Sequence, residues 1–127
     1  MKILIVDDSS LQQKIIKDSL VQLGYSDFVF ANDFESALKV YDAQKPALVL
    51  LDIVMPGRSG VEVLAEIRKK GNTPVIMITS ISMQMFQEAL QNLNLPRSEI
   101  KIEKPVYLTK PFTVDGLKSA LEEALQK

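Results

Sequence analysis

Residues 3–10 read ILIVDDSS. Four consecutive aliphatic residues, mostly β-branched, suit a strand buried on both faces. The run stops at Asp7 and Asp8, and Asp7, Asp8, Ser9 and Ser10 are all turn-forming and helix-capping types. Leu11, Ile15, Ile16, Leu20 and Leu23 are then expected on one side of a helix, with Gly24 as its C′ residue. This unit, an apolar run with a polar end followed by a helix, recurs along the chain. Phe28 to Ala31 reads as a second strand, and Asn32 and Asp33 can cap a helix that buries Phe34, Ala37, Leu38 and Tyr41. Pro46 opens a third strand, ALVLL, which stops at Asp52. After the turn-rich stretch from Met55 to Gly60, Val61, Leu64 and Ile67 mark a third helix closed by Gly71. Pro74 to Ile78 is a fourth strand ending at Thr79 and Ser80, and Met83, Phe86, Leu90 and Leu93 mark a fourth helix. Pro105 to Leu108 reads as a fifth strand before Lys110-Pro111. Thr113 can cap a last helix carrying Val114, Leu117, Leu121 and Leu125.

Five strands alternating with five helices predict a doubly wound α/β fold. Strands joined by helical crossovers run parallel, and the crossovers are right-handed. The last helix ends where the chain ends, so a single domain over 1–127 with no output domain is expected. A length of 127 residues suits one domain, and 46% hydrophobic residues suit a core that needs no disulfide or metal.

Composition also excludes chemistry. The chain has no Cys and no His. Thiol nucleophiles, cysteine-built metal centres, imidazole acid–base catalysis and Ser-His-Asp triads are therefore absent. Any metal site must use oxygen ligands, which points to Mg2+, Mn2+ or Ca2+. Fifteen basic against sixteen acidic residues leave a net charge of −1, so bulk charge does not favour nucleic acid as a partner. The first apolar run is too short for a signal-peptide core and no segment reaches membrane-spanning length, so a cytoplasmic location without membrane insertion is expected.

In a parallel sheet all the strands point their C-terminal ends at one edge, where ligand sites form. That edge is expected to collect Asp7, Asp8, Asp52, Thr79 and, two residues past the fifth strand, Lys110. Each has a plainer reading alone. Asp7 and Asp8 can cap the first helix, Asp52 can be a turn residue, Thr79 can cap the fourth helix and Lys110 can be a solvated lysine. Met77, Met83 and Met85 read as packing, and Gly57 and Gly60 as backbone relief, because no phosphate-loop pattern is present. The plain readings do not explain the convergence. Three carboxylates at one rim repel, and an oxygen-ligated divalent cation resolves the repulsion. A cation, a lysine and a hydroxyl together suit a phosphoryl group.

The motifs ILIVDDSS, VLLDIVMPGRSG, PVIMITS and YLTKPF, in this order and at these strand ends, resemble those of CheY-like response-regulator receiver domains along residues 2–126. The resemblance implies the flavodoxin-like strand order 2-1-3-4-5. It implies that Asp52 accepts a phosphoryl group from the phosphohistidine of a histidine kinase or phosphotransfer protein, or from acetyl phosphate. Asp7, Asp8, Asp52 and the backbone carbonyl of Val54 correspond to the Mg2+ ligands, with Mn2+ as a possible substitute. Thr79 and Lys110 correspond to the groups that contact phosphoryl oxygens, Lys110-Pro111 to the family's cis peptide, and Tyr107 to its aromatic switch. Signalling then runs through the surface of the fourth helix, fifth strand and fifth helix towards a protein target, as in chemotaxis proteins. The domain is a monomer or a phosphorylation-dependent dimer, and it is an enzyme only towards itself.

Two departures bear on this reading. Val54 and Ile81 stand two residues beyond Asp52 and Thr79, at positions that influence the hydrolytic water in this family. Neither can orient water, so slow self-dephosphorylation is expected. Thirty residues separate Thr79 from Lys110, roughly two helical turns more than is usual for the family. In the segment NLPRSEIKIEK, Ile100 and Ile102 alternate with charge, as a half-exposed strand does. It is either an enlarged connection or a remodelled partner surface. The rival readings are a receiver-fold binding module that is never phosphorylated, a flavodoxin and an aspartate-nucleophile hydrolase. Two aspartates after the first strand would repel an FMN phosphate, and Val54 cannot serve as the acid a hydrolase usually carries there.

Overall fold

The apolar runs form β1 (Lys2–Val6), β2 (Asp27–Ala31), β3 (Leu48–Leu51), β4 (Val75–Thr79) and β5 (Val106–Thr109). They pair in parallel in one sheet of order β2-β1-β3-β4-β5. The structure, a computed structural model, describes residues 1–55, 60–80 and 106–125. Its helices are α1 (Ser10–Gln22), α2 (Phe34–Gln44), α3 (Gly60–Lys70) and α4 (Val114–Leu125). The helix expected over Met83, Phe86, Leu90 and Leu93, Met85, Ile81, Gly57 and the Ile100–Ile102 alternation lie outside the described residues.

Alternation along each strand divides the core in two. Leu4, Val6, Val49, Leu51, Val75 and Met77 pack on α2 and α3 through Ala37, Val61, Leu64 and Ile67. Ile3, Ile5, Leu48, Leu50, Ile76 and Ile78 face the other way, onto Ile16 and Leu20 of α1 and Leu117 and Leu121 of α4. With both faces covered, β1, β3 and β4 have no solvent side to carry polar residues, and their runs are unbroken for that reason.

The caps place the helices. Ser9 accepts the Gln12 amide and opens α1, so Asp7 and Asp8 are left for other work. Asp33 and Ser36 form a reciprocal capping box on α2. The Thr113 hydroxyl accepts the Gly116 amide on α4. Gly24 follows the α1 C-cap with φ +100°, a left-handed conformation glycine adopts without a Cβ clash.

Two expectations fail in detail: on α2 Leu38 is only half-buried and joins neither core layer, and the stripe of α1 is displaced. Leu11 and Ile15 do not join the buried face of α1; they are 65% and 41% exposed. Ile16 and Leu20 are buried. A helix turns ~100° per residue, so Leu11 and Ile15 lie roughly a quarter turn or more from the stripe set by Ile16 and Leu20. The residue that continues the stripe towards the helix start is Gln13, at i with Ile16 at i+3 and Leu20 at i+7.

Candidate functional site at the C-terminal edge of the sheet

The β1–β2, β1–β3 and β4–β5 ladders each carry one hydrogen bond past the strand end, and those bonds place the site. The Asp7 amide donates to the Ala31 carbonyl at 3.1 Å, the Asp52 amide to Val6 at 3.0 Å, and the Lys110 amide to Thr79 at 2.8 Å. Asp7, Asp52 and Lys110 are therefore held in strand register and cannot drift as loop residues do. Asp7 is 1% exposed, Asp52 7% and Thr79 0%, although all three are polar. Asp8, one residue further on, is exposed.

The Lys110 Nζ lies between two carboxylates, 2.9 Å from Asp7 Oδ2 and 3.2 Å from Asp52 Oδ2. The other Asp7 oxygen accepts the Ser9 amide at 2.9 Å. The other Asp52 oxygen accepts the Val54 amide at 3.3 Å. Among the described residues the Asp8 carboxylate has no hydrogen bond or ion pair. Burial pushes the Asp52 carboxyl above the usual carboxylate range; the charge of Lys110 opposes this and that of Asp7 adds to it. Burial alone would lower the Lys110 ammonium, but its hydrogen bond to Asp7 and the Asp52 charge outweigh that, and its pKa is raised. Asp52 is thus a carboxylate kept from water with one lysine to balance it.

Oxygens of Asp7, Asp8 and Asp52 all lie within 4.8 Å of one another. Two ligands on opposite sides of a Mg2+ ion are ~4.2 Å apart, a difference that small side-chain rotations close. The donor set is oxygen only and its three negative charges meet one lysine, which fits a hard divalent cation.

The remaining expected residues take these places. Thr79 ends β4 beside this cluster, fully buried. Tyr107 sits back from the rim on β5, in register with Met77, and packs against the core on the α2–α3 side. Burial raises its hydroxyl pKa. Val54 is 54% exposed. The Lys110-Pro111 peptide bond is cis.

The sequence motifs miss one residue beside the site and understate another. Gln13 Nε2 donates to the Asp7 carbonyl at 2.8 Å and the Ala31 carbonyl at 3.1 Å. Its signal in the sequence is a polar residue on the buried stripe of α1. Gly60 matters as more than backbone relief. A Cβ there would stand 1.9 Å from the Asp52 carbonyl oxygen, and the Gly60 amide donates to Ile53 at 2.8 Å. Only glycine lets α3 begin directly against the Asp52 backbone.

A family model described as the response regulator receiver domain matches residues 3–122. The probable transcriptional regulator ycf27 of Porphyridium aerugineum is 32% identical over 126 residues, which is 99% of this chain and 48% of that protein. The chain therefore spans about half the length of the curated relatives it matches. Among solved structures, the Vibrio cholerae chemotaxis protein CheY4 superposes with a TM-score of 0.79 at 26% identity, covering 98% of both chains. The signal receiver domain of a modulated diguanylate cyclase from Desulfovibrio desulfuricans superposes with a TM-score of 0.76 at 31% identity, over 98% of this chain and 92% of that one. With its parallel sheet in the order 2-1-3-4-5 and an acidic cluster at the carboxyl edge, the chain belongs to the response-regulator receiver domain family.

Proposed function

We propose that this receiver domain takes a phosphoryl group onto Asp52 in a Mg2+-dependent reaction and passes the signal to a protein partner. The observation that carries the reading is the buried Asp52 carboxylate, bound to Lys110 at 3.2 Å within a cluster of three carboxylates. A structural aspartate in a turn would not be buried beside two other acidic groups.

Asp7, Asp8, Asp52 and the Val54 carbonyl would hold the cation, which when bound supplies positive charge to the transferring phosphoryl oxygens. One Asp52 oxygen attacks the phosphorus of a partner's phosphohistidine or of acetyl phosphate. An O–P bond forms as the bond to the leaving imidazole or acetate breaks, and that group departs with the bonding electron pair. Lys110 is close enough to leave Asp52 Oδ2 and pair with a phosphoryl oxygen, and Thr79 offers it a hydroxyl. The product adds about −1.5 to −2 charges to a site with one lysine. Thr79 moves towards the new oxygens and Tyr107 turns inwards. The surface that includes β5 and α4 shifts between two populations, and a partner reads the shift. The near-balanced charge of the domain supports a protein as that partner. Val54, apolar and exposed at the position two beyond Asp52, supports a long-lived acyl phosphate.

The direct test is intact mass after incubation with acetyl phosphate. The expected result is one phosphoryl adduct that requires Mg2+ and is absent from Asp52→Asn. An adduct that survives in Asp52→Asn, or forms equally in EDTA, overturns the assignment. If neither acetyl phosphate nor a histidine kinase yields an adduct, the domain is a phosphorylation-independent binding module.

A further inference from the structure

Asp7 and Asp8 are joined by one peptide bond, whose carbonyl belongs to Asp7. The chain leaves the sheet at this point. Asp7 still donates its amide to Ala31, at 3.1 Å, but its carbonyl points beyond the last rung and has no strand to accept from. In the first turn of α1, Gln13 supplies the missing donor. Its Nε2 carries two hydrogens and stands between two carbonyls, Asp7 at 2.8 Å and Ala31 at 3.1 Å. Both partners are acceptors only, so the amide must present its NH2 group. Ala31 then accepts from both Asp7 and Gln13, which fills both lone pairs of its carbonyl. The helix, β1 and β2 are bound together at one atom.

A peptide group is planar, so fixing the Asp7 carbonyl also fixes the Asp8 nitrogen and the place of the Asp8 Cα. Asp8 needs this help. Its side chain is exposed and, among the described residues, bonded to nothing. Asp7 and Asp52 are instead held by Lys110 and backbone amides. Neither Asn, which is too short, nor Glu, which lacks the hydrogens, can make the same bridge.

We propose that Gln13 is a positioning residue for the acidic rim: its amide ties the Asp7–Asp8 peptide to the end of β2 and so sets where the Asp8 carboxylate stands to receive a divalent cation. This rests on the reading of the rim as a cation and phosphoryl site.

The test compares wild type with Gln13→Met, which keeps the volume and loses both donors, and Gln13→Arg, which retains N–H donors. The first readout is amide hydrogen exchange in EDTA at Asp7 and Ser9, whose amides bond to Ala31 and to the Asp7 carboxylate. The second is the Mg2+ dissociation constant by calorimetry. In Gln13→Met, exchange at Asp7 and Ser9 is expected to rise about tenfold while the β3 and β4 amides stay protected. Mg2+ binding is expected to weaken about tenfold, as when a partner behind a metal ligand is removed. The adduct rate at saturating Mg2+ should recover to that of wild type. Gln13→Arg should restore the exchange protection. Unchanged exchange and unchanged Mg2+ affinity in Gln13→Met overturn the proposal. So does exchange that rises equally in β3 and β4, which marks general destabilisation. Wild type that binds no Mg2+ but shows Gln13-dependent protection overturns the cation-site reading, while the bridge from Gln13 to the rim stands.

Discussion

Ile5 near the end of β1 and Asp7 just past it lie two residues apart, and water reaches neither: they are 0% and 1% exposed. Leu50 and Asp52, at 1% and 7%, repeat the pair at the end of β3. Met77 and Thr79, both at 0%, repeat it on β4. The strand interiors and the strand ends thus share one degree of burial and carry opposite chemistry. Inside, burial of each aliphatic side chain contributes about 1.5–3 kcal/mol to folding. At the ends, burial of a carboxylate costs free energy unless a partner offsets it. The lesson is that the sheet interior provides the stability from which the rim is maintained.

Truncation of the interior should have the largest effect on stability. Ile76→Ala removes a fully buried side chain from the core layer that β4 shares with α4 and is expected to lower unfolding free energy by about 3 kcal/mol in urea titrations. The Asp7–Asp52–Lys110 cluster of the folded fraction should be unaffected. A loss as small as that of a surface substitution would break the contrast between interior and rim.

Lys110→Met tests the rim from its cation. It leaves Asp7 and Asp52 facing each other with no lysine between them. In EDTA a loss of about 2 kcal/mol is expected, because an uncompensated charge remains. Mg2+ should return much of that stability through binding to the folded state alone. Insensitivity of the variant to Mg2+ would show that the carboxylates do not share a cation.

Asp52→Asn should have the smallest effect on stability and the opposite sign. The Asp52 pKa is raised by folding, so its ionisation disfavours the folded state. Below an unfolded pKa of ~3.9 the residue is protonated in both states and the cost is absent. The cost appears as pH rises from there through the folded pKa and is complete above it. Asn carries no such charge. Its melting temperature in EDTA should exceed that of wild type at neutral pH, with the difference vanishing as pH falls towards that of the free carboxyl. A lower melting temperature at neutral pH would mean that the Lys110 pair outweighs the desolvation of Asp52.

Much of this contrast is legible in the order of the residues alone. Runs such as residues 3–6 and 47–51 are too uniformly apolar for a half-exposed strand, and each ends at a polar group. The expected strand bounds differ from the observed ones by a residue or so. β4 and β5 each run one residue further, to Thr79 and Thr109, because backbone pairing persists after the apolar character ends. The α1 reading goes astray for a related reason. Leu11 and Ile15 are apolar, but hydrophobicity alone does not say which arc of a helix meets the sheet. Gln13, which does meet it, is polar and escapes a search for apolar residues. The role of Gly60 is hidden for another reason: a near approach between α3 and the Asp52 carbonyl leaves no pattern in composition.

By itself the sequence determined the alternation of strand and helix, the absence of thiol and imidazole chemistry, and the arrival of Asp7, Asp8, Asp52, Thr79 and Lys110 at one edge. Those follow from local rules: periodicity, caps and the single direction of a parallel sheet. Only the tertiary structure decided which oxygen of Asp7 and of Asp52 faces Lys110, that Ser9 rather than an aspartate caps α1, and that Gln13 closes the gap between β1 and β2. Those depend on distances of a few ångströms between residues far apart in the chain. Such distances are set when the two core layers pack against the sheet, and no local pattern encodes them.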